Sequence, residues 1–214
     1  MISRLQYITQ DHSGKTHAQL CEEACKAGVK WVQLRMKDTS YETYLEEAKA
    51  CREITKSYKA TLIINDNLSI ALESRADGVH LGLLDMPVRE ARLQSPDEFI
   101  IGGTANTIED VERHIADGAD YVGMGPYKYT TTKKKLSPIL GLEGYQKALG
   151  QLSTRDFPIV AIGGITQNDI YQLKKIGMHG VAVSGLITHS ADKHTMVEEI
   201  NKAFEEQINL KVAD

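Results

Sequence analysis

Eight times along the chain a short run rich in β-branched residues precedes a longer segment of helical period, and this alternation restricts the fold more than any single motif. The runs are "LQYIT", "WVQLR", "TLIIN", "GVHLG", "FIIGG", "YVGMG", "PIVAIGG" and "GVAVSG". Between and after them lie "HAQLCEEACKAG", "SYETYLEEAKACREITKSY", "LSIALESRA", "VREARLQ", "TIEDVERHIADG", "EGYQKALGQL", "NDIYQLKKIG" and "KHTMVEEINKAFEEQ". A quasi-repeat supports the count: "KAGVKWVQL", "SRADGVHLG", "ADGADYVGM" and "KIGMHGVAV" each end a helix near a glycine and enter a strand a few residues later. A glycine there takes the left-handed conformation that stops a helix and turns the chain back toward a sheet. An open doubly wound sheet is the alternative, but eight regular units of modest length fit closure better. The sequence therefore predicts a (β/α)8 TIM barrel, one domain over residues 1–214.

A chain of 214 residues suits one such core, and no linker or low-complexity segment divides it. The net charge of −4 and pI near 6.0 give no general reason to expect nucleic acid or an anionic membrane surface as a partner. The amino terminus "MISRLQYITQDHSG" has no apolar signal-peptide core, and no stretch approaches the roughly 18 apolar residues of a membrane span. A cytoplasmic protein is expected. Cys21, Cys25 and Cys51 are an odd number in helical segments, which reads as reduced core thiols rather than a disulfide framework.

In a barrel of this kind, catalytic groups sit at the carboxyl ends of the strands and in the loops beyond them. Gln33, Arg35 and Lys37 alternate with Leu34 and Met36, so one side of the second strand carries an amide and two cations suited to an anion. Asn65, Asp66 and Asp85 follow the third and fourth strands and supply oxygen ligands for a hard cation such as Mg2+ held jointly by substrate phosphates. The competing reading is helix capping, since Asp66 precedes "NLSIAL" and Asp85 precedes "MPVREA". Recurrence of acids on neighbouring strand ends, opposite cationic loops, tips the pair toward metal. Thr104 follows the fifth strand, and Thr130, Thr132 and Lys133 the sixth. In "AIGGITQND" and "AVSGLI", Gly163, Gly164, Ser184 and Gly185 offer backbone N–H groups to a phosphate, against the plainer reading of tight turns. His80, within a strand, reads as a satisfied lumen residue, and the other histidines show no ligand-like grouping.

Taken in order, these segments resemble the thiamine phosphate synthase (thiamine phosphate pyrophosphorylase) family over nearly the whole chain, from "QYIT" to "AVSGLI". "QLRMK" is similar to its pyrimidine and pyrophosphate segment, "IINDNLSIA" and "DGVHLGLLD" to the segments carrying magnesium aspartates, "GPYKYTTTKKK" to its loop, and "AIGGI" and "VSGLI" to its thiazole phosphate turns. The resemblance implies a transferase that joins 4-amino-5-hydroxymethyl-2-methylpyrimidine diphosphate to 4-methyl-5-(2-phosphoethyl)thiazole, releasing pyrophosphate, through a carbocation. It implies that Arg35, Lys37, Asn65, Thr104 and Lys133 hold the diphosphate, Asp66 and Asp85 its Mg2+, and Gln33 the pyrimidine. Thr130, Thr132, Gly164 and Ser184, with Gly185 beside them, are implied for the thiazole and its phosphate, and Lys133, Thr104 and Arg35 for the chemical step. On this reading the threonine–lysine loop closes over both substrates. The chain departs from the family at Leu83 and Leu84, where Gln and Glu are common, and at Thr104 and Asn106, where Ser and His are usual. A thiazole tautomerase of the same fold, or a phosphate-sensing barrel without chemistry, are the rival expectations; relatives of the first typically lack the paired aspartates and the threonine–lysine loop. The partners expected are these small molecules, with a homodimer or a monomer as the assembly.

Overall fold

All eight β-branched runs become strands: β1 (Leu5–Ile8), β2 (Trp31–Leu34), β3 (Thr61–Asn65), β4 (Gly78–Leu81), β5 (Ile100–Ala105), β6 (Tyr121–Met124), β7 (Ile159–Ile162) and β8 (Gly180–Val183). In the computed structural model, which describes residues 2–130, 137–154 and 156–205, they form a closed parallel barrel in sequence order. Closure comes from β8 lying against β1 in the register Leu5↔Val181, Gln6↔Ala182 and Tyr7↔Val183. Thr132 and Lys133 lie outside the described residues.

The period of two along each strand sorts its side chains between two cores. Outward-facing Tyr7, Val32, Leu34, Ile64, Val79, Ile101, Val122 and Val181 pack under the helices. Inward-facing Ile8, Trp31, Ile63, Tyr121, Val160 and Ala182 form a separate cluster in the lumen, where the edge of one aromatic ring meets the other at 4.7 Å between Trp31 and Tyr121. The glycines of β5 serve both sides. A Cβ on Gly102 would enter the Tyr121 ring, and one on Gly103 would lie 2.7 Å from the imidazole of His114.

The helices are α1 (His17–Lys26), α2 (Tyr41–Ser57), α3 (Leu68–Glu73), α4 (Val88–Gln94), α5 (Ile108–Ala116), α6 (Gly141–Gln151), α7 (Ile170–Lys175), α8 (Gly185–Thr188) and α9 (Lys193–Glu205). Thr16 and Thr107 open α1 and α5 with capping boxes completed by Gln19 and Asp110. Gly28, Gly118 and Gly177 end their helices at positive φ, as the quasi-repeat predicts. In "SRADGVHLG" the left-handed position falls on Arg75 (φ 57) instead, because Gly78 is needed in the strand, where a Cβ would collide with Ile100 and Ile63. Three boundaries differ from expectation. Thr104 lies inside β5 rather than after it, a 3-10 turn (Gln167–Asp169) precedes α7, and the four-residue α8 follows β8 before the predicted final helix. Cys21, Cys25 and Cys51 are free and buried in the core. No helix among the described residues is long and apolar enough to cross a membrane.

Gly102→Ala should destabilise the protein by about 1–3 kcal/mol, because the Tyr121 ring is fully buried and has no room to move aside. Urea denaturation of the two proteins measures it, and an unchanged midpoint would show that the lumen repacks.

Candidate functional site

The carboxyl ends of β2 to β4 are held by side chains reaching up from the surrounding elements. The phenol of Tyr44, on α2, sits 2.8 Å from the Leu34 carbonyl and 2.9 Å from that of Asn65, so it ties the exits of β2 and β3 together. Thr9 accepts from the Arg35 amide at 3.0 Å and steadies the segment beyond β2. The expected alternation survives past the strand: Leu34 and Met36 pack with the outer core, Gln33 is buried in the lumen, and Lys37 emerges to pair with Asp66.

Neither candidate metal aspartate caps a helix. Asn67, one residue beyond Asp66, accepts from the Ile70 amide at 2.9 Å and caps α3. Pro87 stands at the start of α4 without any side-chain cap, while Asp85 turns back to accept from the Gly82 amide at 2.7 Å. Asp66 has φ 67, a left-handed conformation that aspartate tolerates better than most residues, and its amide continues the ladder to the His80 carbonyl at 2.8 Å. The two carboxyls thereby face one another beside Gly82, whose absent Cβ would lie 2.7 Å from Asp85 Oδ2 and 4.0 Å from Asp66 Oδ1. Burial first, and then contact with Asp66, raises the Asp85 carboxyl above the ordinary aspartate range. Such a pair is relieved by a shared proton, by a lysine, as Lys37 does for Asp66, or by a divalent cation. Among the described residues no cluster of three or more His, Cys, Asp or Glu side chains surrounds a metal position. Two carboxylates with other positions left to water and phosphate oxygens is a donor set that suits Mg2+ rather than zinc.

A hydrogen-bonded chain crosses the lumen from Gln33 to Thr104. Gln33 Nε2 donates to Gln6 Oε1 at 3.3 Å, and Gln6 Nε2 donates to the Tyr121 hydroxyl at 3.2 Å. His80 is 3.0 Å from that hydroxyl through Nδ1 and 3.0 Å from Thr104 Oγ1 through Nε2. In the tautomer in which the Tyr121 hydroxyl donates to His80 Nδ1, the imidazole donates from Nε2 to Thr104 and leaves that hydroxyl's own proton for an acceptor at the mouth. Burial pushes the Tyr121 phenol further above its usual value, which keeps it a donor. From outside the barrel His114 Nε2 holds the Thr104 carbonyl at 2.8 Å. His80 is thus the satisfied lumen residue that the sequence predicts, and it also orients a candidate site hydroxyl. Gln6 and Tyr121 were missed as site residues. Their signal was available in "LQYIT" and "YVGMG", where a polar group stands at an inward position of an apolar strand.

Across the mouth, Gly163 (φ 94) and Gly164 (φ 66) take left-handed conformations. A Cβ on Gly164 would lie 2.6 Å from the Tyr129 carbonyl and 2.9 Å from Lys128 Cβ, so the exit of β6 rests directly on this turn. Ser184 donates to Gln10 Oε1 at 2.7 Å, and Gln10 Nε2 meets His189 Nε2 at 3.0 Å, placing Gly185 beside side chains from the segments just beyond β1 and α8. Thr130 is half-buried at the last described position before the loop. Asn106, a departure from the family pattern, donates from Nδ2 to the Gly125 carbonyl at 2.8 Å and the Pro138 carbonyl at 3.0 Å, which pinches together the two ends of that loop. Leu84, another departure, is 99% exposed beside Asp85, and Leu83 is also exposed.

The sequence profile of the thiamine monophosphate synthase family matches residues 5–187. A thiamine-phosphate synthase of Flavobacterium johnsoniae is 43% identical over 204 residues, covering 94% of this chain and 96% of the relative. One from Bacteroides fragilis is 46% identical over 190 residues, covering 88% and 93%. The solved thiamine phosphate pyrophosphorylase of Pyrococcus furiosus superposes with a TM-score of 0.81 at 31% identity, covering 94% of this chain and 96% of that one. Barrel, motif order and relatives agree, and the chain belongs to the thiamine monophosphate synthase family.

Proposed function

We propose that the protein is a thiamine-phosphate synthase that joins 4-amino-5-hydroxymethyl-2-methylpyrimidine diphosphate to 4-methyl-5-(2-phosphoethyl)thiazole and releases pyrophosphate. The observation that carries this reading is the facing pair Asp66 and Asp85, with Lys37 on one of them, at the mouth of a barrel of this family. Two facing acids with one lysine carry surplus negative charge in the free protein and are a ready receptor for a diphosphate bound with its cation.

On this reading the C–O bond between the pyrimidine methylene and the diphosphate breaks first, and its electron pair leaves with pyrophosphate. The electron-rich aminopyrimidine spreads the positive charge left on the methylene, and the thiazole nitrogen lone pair then forms the new C–N bond. The site needs no general base, so its work is to stabilise the leaving group and to exclude water. Asp66 and Asp85 would hold Mg2+, which would supply charge neutralisation on the diphosphate. Arg35, Lys37, Asn65 and Thr104 bind its oxygens; Thr104 is oriented by His80 Nε2 at 3.0 Å, and the tautomer protonated there leaves the hydroxyl's proton for the diphosphate. Gln33, anchored through Gln6, positions the pyrimidine. Gly164, Ser184, Gly185 and Thr130 bind the thiazole phosphate; Thr132, assigned to the thiazole, and Lys133, assigned to the diphosphate, lie outside the described residues.

Product formation from the two purified substrates tests the reading. Turnover should require Mg2+, stop with chelator, and fall by about 100-fold or more in Asp66→Ala. Full turnover in chelator would remove the metal from the mechanism, and no product from folded wild type would remove the reaction.

The raised Asp85 carboxyl gives a pH prediction. An aspartate whose folded pKa lies above its unfolded value costs stability when ionised, and the cost disappears as pH falls through the folded value. Metal-free Asp85→Asn should therefore melt above wild type at neutral pH and lose that advantage on acidification. Mg2+ should raise the melting temperature of wild type more than that of the variant, with an effect that fades as Asp85 takes up its proton. Equal melting curves at neutral pH would mean that the two carboxylates do not repel.

A further inference from the structure

The turn at Gly163–Gly164 owes its shape to a neighbour. Tyr127 N donates to the Ile162 carbonyl at 2.8 Å and Lys128 N to the Gly163 carbonyl at 3.0 Å, so two successive carbonyls of the turn face the exit of β6. In a trans peptide the N–H opposes the C=O. The amides of Gly163 and Gly164 therefore both point away from β6, and consecutive amides aimed one way form a concavity that accepts an anion. The exit segment that imposes this orientation is itself clamped. Lys128 Nζ donates to Asp169 Oδ1 at 2.6 Å, and Asp169 Oδ2 accepts from the Thr166 amide at 2.9 Å and the Thr166 hydroxyl at 2.7 Å. Tyr127 adds its hydroxyl at 3.5 Å from Asp169 Oδ1 and its ring stacked on Tyr145 at 5.7 Å. The Asp169 side chain is only 8% exposed. Burial alone would raise its carboxyl; the Lys128 ammonium and the Thr166 donors outweigh burial and hold it below the usual aspartate range.

We propose that Lys128 and Asp169 are positioning residues for the thiazole phosphate: their ion pair locks the exit of β6 onto the β7 turn and so keeps the Gly163 and Gly164 amides aimed at the phosphate. The inference rests on the proposed synthase reading for the identity of the anion, while the clamp itself rests on the geometry of residues 126–129 and 162–169. Neither side chain touches the pyrimidine half of the site as assigned, so the effect is confined to one substrate.

The test is steady-state kinetics with each substrate varied in turn, for wild type, Lys128→Met, Lys128→Arg and Asp169→Asn. Lys128→Met keeps an unbranched side chain and removes the charge, including the ammonium 5.1 Å from the Tyr127 ring centroid. It should raise KM for the thiazole phosphate on the order of 10-fold, with kcat at saturation and KM for the pyrimidine diphosphate nearly unchanged. Lys128→Arg should recover most of the loss, and the double variant Lys128→Met with Asp169→Asn should be no worse than the poorer single one. An unchanged thiazole phosphate KM in Lys128→Met overturns the proposal. So does a rise in both KM values together with a lower melting temperature, which would mark a general loosening. If folded wild type forms no product, the synthase reading fails by itself, and the clamp is then read by calorimetric titration with inorganic phosphate. Weaker phosphate binding in Lys128→Met than in wild type supports it, and equal binding overturns it.

Discussion

The pairing of β8 with β1 is the contact on which the rest of this molecule depends. Strands of four to six residues are too short to be stable alone, and an open parallel sheet would leave two unpaired edges. Closure gives every strand two neighbours and forces all eight carboxyl ends to one rim. It also creates a lumen that must be filled, which Trp31, Tyr121, Ile63 and Val160 do, with Gly78 leaving space for Ile63, Gly102 for Tyr121 and Gly123 for the His80 ring above them. Once that interior is packed, the polar groups toward the mouth have fixed positions, and the Gln33–Gln6–Tyr121–His80–Thr104 chain follows from the register of the strands.

A barrel rim made only of loops would be a poor template for chemistry, since exposed connections move more than the elements they join. Here the strand exits are tethered by side chains borne elsewhere. Tyr44 holds those of β2 and β3, His114 that of β5, Asn106 and Tyr145 that of β6, and Lys128 with Asp169 joins β6 to the turn after β7. Each tether is a hydrogen bond or ion pair to a strand-exit carbonyl or to the Asp169 carboxylate, so rigidity of the rim and pairing of polar groups go together. The facing Asp66 and Asp85 are the exception. Burial and contact with Asp66 raise the Asp85 carboxyl, a local electrostatic cost of the kind that clusters at functional sites.

The alternation of β-branched runs and helical segments determined the fold from the sequence alone, because period two and period 3.6 leave few other ways to bury the apolar faces of eight βα units. The order of motifs determined the family, and position at strand ends determined where to look for the site. What the one-dimensional pattern left open was which of several local roles each polar residue takes. Asp66 and Asp85 each had the local signature of a helix cap, with only their recurrence on neighbouring strand ends tipping the pair toward metal, and the folded chain, by giving the cap to Asn67 and turning Asp85 back to Gly82, released both carboxyls to face each other. Asn106 stood as a bare departure from a pattern until Gly125 and Pro138, separated in sequence, were brought under its amide. Gln6 and Tyr121 gained meaning only when β1 and β6 faced each other across the lumen, as did Lys128 when β6 came to lie beside the turn that carries Asp169. Local periodicity is set by neighbours along the chain and so is written in the sequence; hydrogen-bond partners distant in the chain are chosen by closure of the barrel, and only the tertiary structure decides them.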